Sequence, residues 1–267
     1  TVGWAGANAV TYTDSGLQGS TAYCYRVRGT NTYPPSGSVS SWSAPAGART
    51  LAPPPGYVAE SVNFSWIDAA NGGTQLALTD DSSAAVTLPF PFSFYGTLTS
   101  SIAVSSNGFL RFATGLANQL NNTTIPNSSE PNGIAAVFWD DLNPSAGGSV
   151  WTRTVGTAPN RRFVVGWVNV QQFSVAGSAI SFEVVLEETG GGITFQYQDV
   201  VVGNALYDFG ASATVGVENG LGTSGTLFSF NAPSLQDGTA YRFAQSTGPA
   251  LPTVSIGNVS VVEGNDG

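Results

Sequence analysis

Residues 86–142 hold three short runs, VTLPFPFSFYG (86–96), SIAVSSNGFLRF (101–112) and IAAVFWDDL (134–142), and their reading decides the fold. Asn107-Gly108 interrupts the apolar pattern of the second run. That dipeptide favours φ > 0 at both turn positions and predicts a tight β-hairpin. Phe90, Phe92, Phe94 and Tyr95, then Phe109 and Phe112, then Phe138 and Trp139 gather around it along the chain. Together they supply the aromatic centre expected of a β-sandwich core.

The same two-residue alternation continues outward. In ISFEVVLEE (180–188), Ile180, Phe182, Val184 and Leu186 share one face, and Ser181, Glu183 and Glu187 are expected to point away from the core. In ITFQYQDV (193–200), Ile193, Phe195 and Tyr197 alternate with Thr194, Gln196 and Gln198, and Gly190, Gly191 and Gly192 join the two runs as a hairpin. RRFVVGWVNV, SATVGVEN, TLFSFN and TAYRF add further strands. No stretch sustains a period of 3.6 residues. The expectation is an all-β chain of β-sandwich modules in tandem, with very little helix. Leu51-Ala-Pro-Pro-Pro55 reads as a stiff polyproline-like linker. The expected organisation is a partial module over 1–51, a linker over 52–55, a large β-domain over 56–247, and a linker with one further strand over 248–267.

Only 9% of the 267 residues are charged, and Gly, Ser, Thr and Asn are abundant. Such a surface is solvated by hydroxyls and amides, as in secreted all-β proteins. Eight Arg and no Lys face 17 acids, for a net charge of −9, which argues against a nucleic-acid or anionic-membrane partner. Cys24 is the only cysteine, so no internal disulfide forms, and it is read as a small strand residue. No run of 18 apolar residues predicts a membrane span. The chain begins at Thr1 and contains no Met, and it is read as a processed product or a fragment.

With no His and no Lys, Ser-His-Asp, Cys-His and Schiff-base mechanisms lack a base or an amine. Glu183 and Glu187, four residues apart on a strand, lie about 13 Å from each other, too far for paired-carboxylate glycoside hydrolysis. The chain is therefore expected not to be an enzyme. Asp80-Asp81 and Asp140-Asp141 are the oxygen ligands that calcium favours, and calcium is the one cofactor considered. The six Trp residues are read as core or inter-domain packing ahead of a sugar-stacking platform. Sequons occur at Asn63, Asn121, Asn122, Asn127 and Asn258, three of them in NQLNNTTIPNSSEPNG (118–133), expected to be an exposed loop.

Three resemblances rest on these runs. Leu17 and Tyr23 in YTDSGLQGSTAYCYRV, followed by SSWSAPAGARTL, resemble the second half of a fibronectin type III domain, a sandwich of about 100 residues of which only 50 are matched. FPFSFYG, VSSNGFLRF, IAAVFWDDL, VWTRTVG, RRFVVGWVNV, SFEVVLEETGGGITFQY and ATVGVENG, in this order, are similar to the nidogen-type extracellular domain, whose bacterial relatives occur in large secreted proteins, some with subtilisin-like proteases. TVSIGNVSVVEGN resembles the first strand of a Calx-beta domain, and the resemblance makes Glu263 a further calcium candidate. They imply an extracellular or cell-surface location.

The expected role is a non-catalytic structural or adhesive module of a large bacterial surface or secreted protein. Its partners would be neighbouring modules or identical subunits, with a carbohydrate or a protein as further candidate ligands. Head-to-tail assembly into a filament would pair a tail strand bearing Val254, Ile256, Val259 and Val261 with an incomplete head sandwich bearing Tyr23, Tyr25 and Val27. The alternative is an accessory segment that positions a secreted protease or other hydrolase, or binds its substrate.

Overall fold

A computed structural model describes residues 14, 21–29, 39–49, 56–113, 115 and 118–246. The chain divides into two compact units, one spanning Pro55–Ser246. In the other, β1 (Ala22–Tyr25) and β2 (Ala46–Arg49) pair antiparallel, with Tyr23 opposite Ala48. Tyr23 and Tyr25 are half-buried, their rings stacked 6.5 Å apart, while Cys24 and Val27 are exposed. The tail residues Val254, Ile256, Val259, Val261 and Glu263 lie outside the described residues.

The larger unit is a sandwich of two antiparallel sheets, as the alternating runs predict. Its strands are β3 (Tyr57–Val62), β4 (Thr74–Leu76), β5 (Ser83–Phe94), β6 (Thr97–Ser105), β7 (Phe109–Arg111), β8 (Ile134–Trp139), β9 (Leu142–Asn143), β10 (Ser149–Val155), β11 (Arg162–Gln172), β12 (Ile180–Glu187), β13 (Ile193–Asp199), β14 (Thr214–Glu218), β15 (Gly225–Phe230) and β16 (Thr239–Gln245). Six strands run in the order β15-β14-β8-β7-β6-β5, and eight in the order β3-β16-β13-β12-β11-β10-β4, with β9 also pairing β11. The helical content of the described residues is one 3₁₀ turn, Asp208–Gly210.

Local sequence explains these placements. β5 carries Pro89 and Pro91, which lack a donor for the ladder, and it lies at a sheet edge where that lack is tolerated. Its pairing with β6 jumps from Thr87↔Ser101 to Phe92↔Thr99 across those prolines. Phe90, Phe92 and Phe94 still face inward, and Phe94 stacks on Phe112 with ring centroids 4.0 Å apart. Two buried polar tips tie the sheets together: Trp167 Nε1 donates to the Ser105 carbonyl (3.0 Å), and the Tyr197 hydroxyl donates to the Val137 carbonyl (2.7 Å).

The β6–β7 hairpin differs from the two-residue turn expected. Val104 pairs with Leu110, so Ser106, Asn107 and Gly108 form the connection, and of Asn107 and Gly108 only Gly108 has positive φ (76°). Gly108 cannot be replaced, because a Cβ there would lie 1.9 Å from the Phe138 carbonyl oxygen. The Gly108 carbonyl accepts from both Val137 N and Phe138 N, a bulge that shifts the alternation of β8 by one residue. Val137 and Phe138 consequently both face the main core, and Trp139 faces outward with Ile134 and Ala136.

Outward does not mean solvent-exposed. β8 and β12 are buried on both faces. Over β8 lies the 118–132 segment, which inserts Ile125 beside Phe109 and Trp139 and accepts the Trp139 indole N–H at the Gln119 carbonyl (3.0 Å). Over β12 lies the 63–70 segment, whose Ile67 and Ala69 pack on Val164 and Val185. The sequon-rich loop is thus a partly buried strap, which corrects its reading as exposed, and Glu183 likewise lies inside the protein, at 0% exposure.

Each strap is pinned by a buried glutamate. Glu183 Oε1 accepts from Ile67 N (2.9 Å) and Gln196 Nε2 (2.6 Å), while its Oε2 is buried with no partner. Gln196 in turn holds Ser65 N and Ser65 O. In the other sheet Glu218, 1% exposed, accepts from Asn127 N. Burial pushes the Glu183 carboxyl up to about 8 and the Glu218 carboxyl up to about 7. A raised acid pKa stabilises the fold fully below the unfolded-state value, and that contribution is lost as pH rises through the folded value.

Stability in urea should therefore fall as pH rises from 5 to 9, and Glu183→Gln, which retains the acceptor for Ile67, should flatten the slope by up to roughly 1.4 kcal/mol per pH unit between 4.5 and 8. An unchanged slope would refute the buried neutral acid.

Candidate cation site and the family of the chain

Three chain segments meet at one corner of the sandwich. The first is the Thr79–Ser82 turn before β5, closed by Thr79 N donating to Ser82 Oγ (2.7 Å) and Ser82 Oγ donating to the Thr79 carbonyl (2.8 Å). Asp81 sits there at φ 45°, a conformation that Asp tolerates better than most residues. The second is the Ser106–Gly108 connection, locked to the first by Ser106 N donating to the Ser82 carbonyl (2.9 Å). The third is the Asp140-Asp141 corner between β8 and β9.

Asn107, fully buried, joins all three: its Nδ2 donates to Asp81 Oδ1 (2.8 Å), and its Oδ1 accepts from Leu142 N (2.9 Å). This cross-link brings Asp80, Asp81 and Asp141 together, with one carboxylate oxygen of each within 4.8 Å of the others. Of the expected calcium candidates, these three share a site. Asp140 turns to the opposite side, where its Oδ2 accepts from Ser212 Oγ and its Oδ1 caps Asp141 N (2.9 Å).

The electrostatics follow from this crowding. Burial, then the charges of Asp81, Asp80 and Asp140, push the Asp141 carboxyl up to about 6. Burial and then Asp81 raise Asp80, whose Oδ1 is buried without a hydrogen-bond partner. Burial also raises Asp140, opposed by its bonds from Ser212, Asp141 N and Gln172. Three carboxylates at this spacing suit a hard divalent cation bound through oxygen, or a shared proton. Asp80–Asp81 and Asp140–Asp141 were visible in the sequence as pairs. Asn107, which aligns them, was visible only as a turn residue.

The arginines serve the scaffold. Arg161 forms a fork with Glu188 (2.9 and 2.6 Å) and holds that carboxyl down to about 2, and Arg242 links Glu187 at 2.9 Å and Glu60 at 3.5 Å. Of the tryptophans, Trp139 and Trp167 are core residues, Trp66 and Trp151 are half-buried, and Trp42 is 50% exposed beneath the Arg28 guanidinium, 4.5 Å from its ring centroid.

Two packed antiparallel sheets define a β-sandwich module. The chain belongs to the NIDO-related family, whose profile matches residues 56–254, and it is thereby related to the nidogen domain and to the class of extracellular structural modules. No curated protein and no solved structure matches it. No helix among the described residues is long and apolar enough to cross a membrane.

Asp141→Asn removes one of the crowded charges. In the presence of chelator its Tm should rise by roughly 2–4 °C at pH 7.5, equivalent to about 1 kcal/mol. The gain should vanish at pH 4, where the Asp141 carboxyl is protonated in the folded protein and the penalty is already absent. Calcium added back decides what balances the cluster. A Tm rise in the parent protein but not in Asp141→Asn indicates a bound cation, and no rise in either shows that calcium does not bind the cluster.

Proposed function

We propose that the chain is a non-catalytic structural or adhesive module of a large bacterial surface or secreted protein. The observation that carries this reading is the membership of residues 56–254 in the NIDO-related family. The sandwich supports it physically. Its conspicuous polar groups, Glu183, Glu218, Gln196 and Asn107, are spent on holding straps and turns in place, and its arginines on ion pairs with neighbouring strands.

The finer form of the reading is head-to-tail assembly. The tail residues Val254, Ile256, Val259 and Val261 of one copy would add a strand to the head unit of the next, where β1 carries Tyr23 and Tyr25 and Val27 follows it at 64% exposure. A heterologous contact of that kind does not close on itself, so its product is a fibre.

Electron microscopy of the native material tests both levels. Regular fibres with an axial repeat close to the length of this chain are the expected result. Separate particles carrying an additional globular domain would overturn the assembly and favour an accessory segment of a secreted hydrolase.

A further inference from the structure

On the far side of the Asp140-Asp141 corner lies an open cavity of about 460 Å³, within the size range of ligand sites. Asp140 and Asp141 line it, with Asn121, Asn122, Gln172 and Tyr207 among their neighbours, and no lysine, arginine or histidine contributes. Ligand cavities are ordinarily mostly apolar with a few polar groups. Here the balance is reversed, and the chemistry of the occupant follows from that reversal.

Two carboxylates without a cation repel anions, and the polar lining offers little to a lipid or an aromatic compound. What it offers is planar amides and hydroxyls, each able to donate and accept. That combination matches adjacent hydroxyl groups, which do the same. The lining is also fixed in advance. Asn122 Nδ2 donates to the Ser212 carbonyl (2.8 Å), Thr214 Oγ1 (3.0 Å) and Asn231 Oδ1 (2.9 Å). Gln172, 1% exposed, accepts from Ser174 N (2.6 Å) and also bonds Asp140. A ligand therefore meets side chains already ordered and loses less entropy in binding. By contrast, while Asn121 N donates to Gln119 Oε1 (3.2 Å), the Asn121 side-chain amide and the Tyr207 hydroxyl have no hydrogen-bond partner among the described residues, and the Tyr207 ring packs against the core.

We propose that this cavity binds a neutral carbohydrate unit, with Asn121 and Tyr207 as ligand-contacting residues and Asn122, Gln172 and Asp140 as the fixed wall behind them. The proposal deepens the adhesive reading and rests on it for its biological sense. The binding itself does not depend on whether the chain forms fibres, so failure here leaves the microscopy result standing, and the reverse also holds.

The test is a titration of the full chain, in buffer containing millimolar calcium chloride. The panel comprises glucose, galactose, mannose, N-acetylglucosamine and their neutral oligomers, with glucosamine as a cationic control and glucuronate as an anionic one. Heat release and amide chemical-shift changes are the readouts. The expected result is binding of at least one neutral sugar, shifts centred on residues 120–122 and 207–212, and an affinity lowered about tenfold or more by Asn121→Ala and by Tyr207→Phe. Both substitutions remove groups without partners in the fold, so unchanged urea unfolding curves should accompany the loss. Three outcomes would overturn the proposal: no neutral sugar binding at tens of millimolar, binding that both variants leave intact, or preference for glucosamine or glucuronate over its neutral parent.

Discussion

The central strands of both sheets are buried on both faces, and that constraint shapes the molecule. A strand of an antiparallel sandwich normally shows one face to water, and the polar half of its alternation is what keeps the module soluble. β8, reading IAAVFW, has no polar half, and β12, reading ISFEVVLE, keeps one but buries it. Their second faces have to be covered from within the chain. The 63–70 and 118–132 segments do so, giving four layers in place of two. Covering them creates a second requirement, because an irregular segment laid over a sheet brings its own backbone donors out of water. Glu183 and Gln196 satisfy the first strap and Glu218 the second, each at the cost of burying an acid whose ionisation the surroundings disfavour.

Much of this was legible in the residues. Alternation in 180–187 and 193–199 located a hairpin that the structure contains, and Phe90, Phe92, Phe94 and Phe138 do enter the main core, with Trp139 in the smaller cluster under the 118–132 strap. What the alternation could not show is the two outer layers. A period of two says which residues share a face but not what lies over it, so Glu183 reads as a solvent residue when the backbone donor it accepts from, Ile67 N, comes from more than a hundred positions away. The Asn/Thr/Ser-rich composition of 118–132 similarly reads as a loop, and the one residue that betrays burial is Ile125. Asn107-Gly108 signalled a turn correctly. Its type was missed because the Asn side chain is committed to Asp81 and Leu142, leaving the glycine alone to supply positive φ.

The acidic corner shows how little local sequence says about electrostatics. Two adjacent aspartates on an extended segment face opposite ways, and here the two directions lead to different chemistry. Asp141 joins Asp80 and Asp81 in a crowded cluster, whereas Asp140 is tied into the hydroxyls and amides that line the cavity behind it. A single peptide unit thus joins a cluster of repelling carboxylates to a wall of fixed polar groups, and both aspartates line the cavity.

The larger unit begins and ends on neighbouring strands. β3 and β16 pair antiparallel with Tyr57 opposite Gln245, and Ser246 N donates to the Gly56 carbonyl at 2.8 Å. Tension applied through the flanking chain therefore enters and leaves at one end of one ladder. The load falls on the Gly56–Ser246 bond first and then on each following pair in turn, so the two strands peel apart like a zip instead of shearing together. Tyr57 and Phe243, core aromatics on these two strands, are drawn out as that ladder opens, while both straps stay out of the force path until it has opened. A module wired in this way gives up its outermost strands one residue pair at a time, lengthening by a short run of chain before its centre is disturbed.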